Sequence, residues 1–229
     1  MVTVTFLGHS CFQITDNSHS VIIDPFLSGN PVAVLKPDAI KVDAVLLTHG
    51  HGDHFGDTIE IVKRNNALVI AVFELAKYCE QKGLQTHGMH IGGSHVFSFG
   101  KVKFTPALHG SSIIEDDETI RYMGNPAGIV LTMGEKTIYH AGDTGLFMDM
   151  ELIGKMNLDA ALLPIGDNYT MGVDDAVEAV KILHPKIVIP MHYNTFDLIK
   201  ADPDDFSAKV QNYSTKCVIL KPGEGCQIN

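Results

Sequence analysis

The segment Thr48-His49-Gly50-His51-Gly52-Asp53-His54 places three imidazoles and a carboxylate within six residues, directly after the apolar run Ala44-Val45-Leu46-Leu47. Neutral imidazole and carboxylate are ligands for zinc, and also for iron, manganese or nickel. Alternate side chains converge on a cation only where the backbone folds tightly, and Gly50 and Gly52 would permit that. With 12 His in 229 residues, an H-x-H-x-D-H string is expected by chance in on the order of a few chains per thousand. A plain polar surface loop is therefore a poor account of it.

Ligands of this kind sit where a buried strand runs out into a loop, and three more strand ends carry a candidate. His109 follows the strand Val102-Lys103-Phe104-Thr105, Asp143 follows Thr137-Ile138-Tyr139-His140, and His192 follows Ile187-Val188-Ile189-Pro190-Met191. The first 24 residues alternate as antiparallel strands, and residues 25–38, with three prolines, form a loop. Helices are predicted around residues 57–64, 74–81, 173–180 and 206–213, with strands at 67–72, 159–164 and 218–220. Gly100-Lys101 reads as a two-residue hairpin turn, and the acidic, aperiodic residues 110–125 as a surface loop beside the site. Alternation of β and α implies a layered α/β domain spanning residues 1–229. Val42–Thr48 echoes Leu158–Pro164, and 67–72 echoes 185–190, which divides the chain into pseudo-symmetric halves of about 1–110 and 111–229 and aligns Asp24 with Asp143. Two sheets would then pack face to face, with strand ends from both meeting at one edge.

Composition narrows the function classes. The chain is 45% hydrophobic and 19% charged, has no apolar run long enough to span a membrane, and starts without a basic, then apolar, leader. It reads as a cytoplasmic globule. A net charge of -10 and the lack of a Lys/Arg cluster argue against nucleic acid and for a small-molecule substrate; a homo-oligomer is compatible with all of this. Cys11, Cys79, Cys217 and Cys226 form no CxxC pair and read as buried, reduced thiols.

In order and spacing, Asp24, His49-x-His51-x-Asp53-His54, His109, Asp143 and His192 resemble the metallo-β-lactamase superfamily. Gly8-His9-Ser10, Ile23-Asp24-Pro25-Phe26, Thr170-Met171-Gly172 and His192-Tyr193-Asn194-Thr195-Phe196 look like its prokaryotic metal-dependent hydrolase branch, similar to ascorbate-phosphate lactonases and N-acylphosphatidylethanolamine phospholipases. The resemblance implies a four-layer αββα sandwich and a dinuclear site for two divalent ions, zinc first, with manganese, iron or nickel as alternatives. His49, His51 and His109 would hold one ion, Asp53, His54 and His192 the other, and Asp143 would bridge. Asp24 would orient the His49 loop, and His140 would be structural.

The reaction expected on that basis is hydrolysis of an ester, lactone or phosphodiester-type bond by a bridging hydroxide. Asp53 would hold the nucleophile and relay a proton, and His9 would hydrogen-bond the developing oxyanion. The competing readings are an iron-dependent, persulfide dioxygenase-like oxidoreductase on the same fold and a phosphodiesterase or nuclease.

Overall fold

Alternating burial in the opening segment produces three antiparallel strands in the computed structural model, which covers residues 1–229. These are β1 (Val2–Gly8), β2 (Cys11–Thr15) and β3 (Ser20–Ile23). The chain then turns parallel through β4 (Ala44–Leu46), β5 (Leu68–Val72) and β6 (Thr86–Met89), connected by the helices α1 (Gly52–Phe55), α2 (Thr58–Asn65) and α3 (Phe73–Gln81). β4 and β5 are almost continuously apolar because one face meets the core and the other is covered by α2 and α3. Asn66 ends α2 in the left-handed conformation, φ 52°.

The second sheet repeats this plan. β7 (Ser94–Phe97), β8 (Gly100–Pro106), β11 (Ala127–Met133) and β12 (Lys136–His140) are antiparallel; β13 (Ala160–Pro164), β14 (Ile187–Met191) and β15 (Lys216–Cys217) continue in parallel from β12. Between β8 and β11, a ribbon of β9 (Ser112–Ile114) and β10 (Ile120–Tyr122) stands apart. The helices α4 (Met150–Gly154), α5 (Val173–Leu183) and α6 (Pro203–Val210) belong to this half, and β16 (Gly225–Ile228) returns to pair with β1. The strand orders are β16-β1-β2-β3-β4-β5-β6 and β15-β14-β13-β12-β11-β8-β7. One continuous apolar core joins the sheets, giving the expected αββα layering.

Several local expectations are corrected. The hairpin turn falls at Ser98-Phe99, since Phe97 pairs with Gly100. Gly100 serves a close approach instead: at φ 142°, a Cβ there would lie 2.1 Å from the Thr132 carbonyl oxygen. Residues 110–125 contain the β9–β10 ribbon rather than only a loop, and the last parallel strand is Lys216–Cys217, ending before Val218. The chain enters the second sheet at Ser94, earlier than position 110. Cys11 and Cys79 are buried, but Cys217 and Cys226 are only half-buried; all four are free. Pro190 lies within β14 without costing a ladder bond to β15, because that neighbour pairs only with Ile187 and Val188.

The loop after β13 lies tightly against the end of β14, where a Cβ on Gly166 would fall 2.2 Å from the His192 carbonyl oxygen and 2.9 Å from Ile199 Cβ. Gly166→Ala is expected to cost about 1–3 kcal/mol in urea unfolding. An unchanged midpoint would show that these two loops are not held at this spacing.

Candidate metal centre

The parallel strands end at one edge, where ligands of open α/β sheets collect. Asp24 follows β3, Thr48-His49 follows β4, Asp143 follows β12 and His192 follows β14. His9 lies in the turn after β1, and His109 lies three residues beyond the end of β8. His9, Asp24 and His192 have φ of 58°, 49° and 54°, a region that residues with a Cβ rarely occupy. Such strained conformations concentrate at functional sites. Gly50 and Gly52 contribute differently from expectation, since neither has positive φ. A Cβ on Gly50 would meet Met123 at 2.9 Å, whereas Gly52 opens α1, the single helical turn that carries Asp53 and His54.

Asp24 is fully buried and sets the orientation of two histidines. Its Oδ1 accepts from the Thr48 backbone N–H at 2.9 Å, and its Oδ2 accepts from Thr48 Oγ1 at 2.6 Å and from His54 Nδ1 at 2.8 Å. Because Thr48 donates to Asp24, its oxygen is left to accept from His49 Nδ1 at 3.0 Å. Both imidazoles therefore carry their proton on Nδ1 and turn Nε2 inward. His49 Nε2 lies 3.0 Å from His51 Nδ1, and His54 Nε2 lies 3.2 Å from Asp143 Oδ1.

Two groups of potential ligands result. The donor atoms of His49, His51 and His109 lie within 4.8 Å of one another, as do those of Asp53, His54 and His192 together with His9. Asp143 lies between the groups, its Oδ2 3.0 Å from His192 Nε2 and 3.6 Å from His109 Nε2. The structure thus brings all seven expected metal ligands to one place. Asp24, His49 and His54 also cluster, but the oxygens of Asp24 are already engaged by Thr48 and His54.

His9 is buried with both ring nitrogens occupied, Nε2 3.2 Å from Asp53 Oδ2 and Nδ1 2.9 Å from Thr195 Oγ1. This arrangement leaves no N–H for an oxyanion, so the expected substrate contact is replaced by one to Asp53. Sequence reasoning missed the roles of Thr48 and Thr195, although both lie inside the motifs it singled out. His140, on the neighbouring strand, bonds only backbone: Nε2 to the Ser10 carbonyl at 2.9 Å and Nδ1 to the Gly142 N–H at 3.1 Å.

The donor set fits divalent cations. Two of the five buried polar side-chain atoms without a hydrogen-bond partner are His54 Nε2 and Asp143 Oδ1. His54 Nε2 and Asp143 Oδ1 are close but misaligned for a mutual bond, as atoms directed at a common cation would be. Burial lowers the pKa of His49, His51 and His109, and brings His9 down to about 4 despite Asp53. Burial also opposes charge on His54, but Asp143 and Asp24 on either side outweigh it and raise its pKa. Burial would raise Asp143, yet His192 and His54 hold it well below the usual carboxylate range.

Two sheets with helices outside, and a histidine-aspartate centre where their strands end, define a metal-dependent hydrolase of the metallo-β-lactamase type. Residues 19–193 match the family described as "Beta-lactamase superfamily domain". A UPF0173 metal-dependent hydrolase of Bacillus cereus is 58% identical over 223 residues, covering 96% of this chain and 97% of that protein. The structure of Igni18, a metallo hydrolase from Ignicoccus hospitalis, superposes with a TM-score of 0.88 at 38% identity, covering 98% and 97% of the two chains. The metallo-β-lactamase fold protein YhfI from Bacillus subtilis shares the fold at TM-score 0.76 and 13% identity, over 99% and 100% of the chains. The chain belongs to the metallo-β-lactamase superfamily, within its group of UPF0173 metal-dependent hydrolases.

Asp143 and Asp24 favour the protonated form of His54 in the metal-free chain, and a ligating nitrogen must give that second proton up. Zinc binding at pH 7 is therefore expected to release on the order of one proton per chain, with affinity falling as pH falls. Calorimetry in buffers of different ionisation enthalpy measures this; binding without proton release would rule out His54 as the proton donor.

Proposed function

We propose that the chain hydrolyses an ester, lactone or phosphodiester-type bond in a small molecule, using two divalent cations. His49, His51 and His109 would hold one, Asp53, His54 and His192 the other, and Asp143 would bridge. The observation that carries this reading is the separate convergence of two ligand groups with Asp143 reaching histidines of both. Imidazole with carboxylate suits zinc first, and also manganese, iron or nickel. Bound there, the cations would supply Lewis acidity and a water acidic enough to attack at neutral pH.

The chain's own residues would then position and move protons. A cavity of about 370 Å³ opens onto His51, Asp53, His109, Asp143 and His192, a size suited to a small molecule. Asp53 reaches this cavity half-exposed. Burial would raise its carboxyl, but His54 and His9 outweigh that and hold it ionised. It is placed to accept a proton from the attacking water and return it to the leaving group. Neutral His9, braced by Thr195, fixes the direction of that carboxylate. None of the four thiols lines this cavity; burial, with Asp24 and Asp57 nearby, raises Cys11, and burial pushes Cys79 up to about 12.

Elemental analysis is expected to find two zinc or manganese ions per chain, with His109→Ala weakening one site and His192→Ala the other. Chelation should abolish turnover across a panel of lactones, aryl esters and phosphodiesters, and re-addition of metal should restore it. One equivalent at saturation, or turnover without metal, would overturn the reading. At matched metal occupancy, Asp53→Asn should lose on the order of a hundredfold in turnover; wild-type turnover would remove Asp53 from the proton relay.

A further inference from the structure

Three large apolar side chains stand open on the wall of the same cavity. Tyr169, Phe196 and Leu198 keep 52%, 41% and 64% of their surface exposed while lining the space that reaches Asp53 and Asp143. Single exposed apolar residues are ordinary, but three on one wall beside a polar centre mark a recognition surface.

Each is held in place by its backbone or its neighbours. Leu198 sits in a single 3-10 turn, Asp197–Ile199, anchored by the fully buried Ile199. Asn194 clamps that turn: its backbone N–H donates to the Ile199 carbonyl at 2.8 Å, and its side-chain amide exchanges two 3.0 Å bonds with the Ala201 backbone. The Phe196 ring packs against Phe26 and His9, with centroid separations of 6.4 Å and 5.6 Å. Tyr169 tops a turn in which Asp167 and Asn168 are both left-handed, closed by the Asp167 N–H donating to the Met171 carbonyl at 3.0 Å. An apolar surface ordered in advance binds without a further ordering cost.

Charge points the same way. No lysine or arginine lines this cavity. Lys200, in the groove adjoining Phe196, is paired with Asp197 at 2.8 Å. A phosphate or carboxylate carried away from the scissile bond would find no cationic side chain to receive it.

We propose that this wall selects substrates bearing an uncharged aliphatic or aromatic group beside the scissile bond, with Tyr169, Phe196 and Leu198 as the specificity-determining residues. The proposal rests on the two-cation hydrolase reading above. The apolar group lies against the three side chains, and the scissile bond faces Asp53 and Asp143.

The test uses alkylhydroxamates from acetohydroxamate to octanohydroxamate, chelators with one headgroup and a lengthening tail, titrated calorimetrically into the zinc-loaded full chain. A tail of octanoyl length ending in a carboxylate completes the set. A buried methylene tightens binding by up to about fourfold, so octanohydroxamate should bind about tenfold or more tighter than acetohydroxamate. The carboxylate-ended tail should lose that gain. Leu198→Asp and Phe196→Ala should each bring the ratio of the two dissociation constants towards one, with thermal melting confirming the fold. A wild-type ratio near one, or a ratio unchanged in both variants, would overturn the proposal and leave the two-cation reading standing. Failure of the chain to bind zinc, or of zinc-loaded chain to bind acetohydroxamate, would overturn both. If Leu198→Asp keeps the ratio but turns a dimer into a monomer by light scattering, the wall is a contact between copies and the proposal falls.

Discussion

The enclosed carboxylate of Asp24 is the constraint on which the centre depends. A buried charge is costly unless donors surround it, and here the Thr48 backbone, the Thr48 hydroxyl and His54 Nδ1 all point at it. Those same contacts fix two imidazole tautomers, one directly and one through Thr48, so that the Nε2 atoms of His49 and His54 turn inward. Asp24 does this across 24 and 30 residues of sequence, tying the end of β3 to the end of β4 and to α1. Orientation of the two imidazoles and closure of the first sheet's edge are thus one interaction.

The second sheet supplies the complementary half by the same topology. In each sheet an antiparallel run gives way to parallel strands, and the aspartates Asp24 and Asp143 follow the strands where that change occurs. Asp24 faces away from the cleft and orients, whereas Asp143 lies between the histidine groups. Equivalent positions have different functions because their neighbours differ: Asp24 meets backbone and hydroxyl donors, and Asp143 meets only imidazoles among its close partners.

Much of this was legible in the chain, and the rest was hidden for identifiable reasons. The histidine string, the strands leading into it, and the long helices with a clear apolar face could be read locally because pattern and structure share one short period. The Gly100 signal misled because that glycine admits the Thr132 carbonyl rather than making the turn. The β9–β10 ribbon lacks an alternating pattern because it pairs with neither sheet, and although Ile113 packs on the core, Ile114, Ile120 and Tyr122 remain exposed. The partnership of His9 with Thr195 spans 186 residues and leaves no local trace. Tyr169 meets Phe196 and Leu198 in one cavity only after folding, since it follows β13 whereas they follow β14.

The balance of ligand types bears on the chemistry the centre can support. Five of the seven converging side chains are imidazoles, neutral when they ligate, and only Asp53 and Asp143 bring negative charge into the cleft. A donor set rich in carboxylates would neutralise bound divalent cations; this one would leave them net positive, which would favour polarisation of a substrate oxygen. In the metal-free chain, Asp143 and Asp24 on either side favour the protonated form of His54. Exchange of that proton for a cation would couple occupancy of the site to pH. Asp24, Asp53 and Asp143 are themselves part of the chain's net charge of -10, so the neutral histidines are what would keep the centre from being strongly anionic once cations are bound.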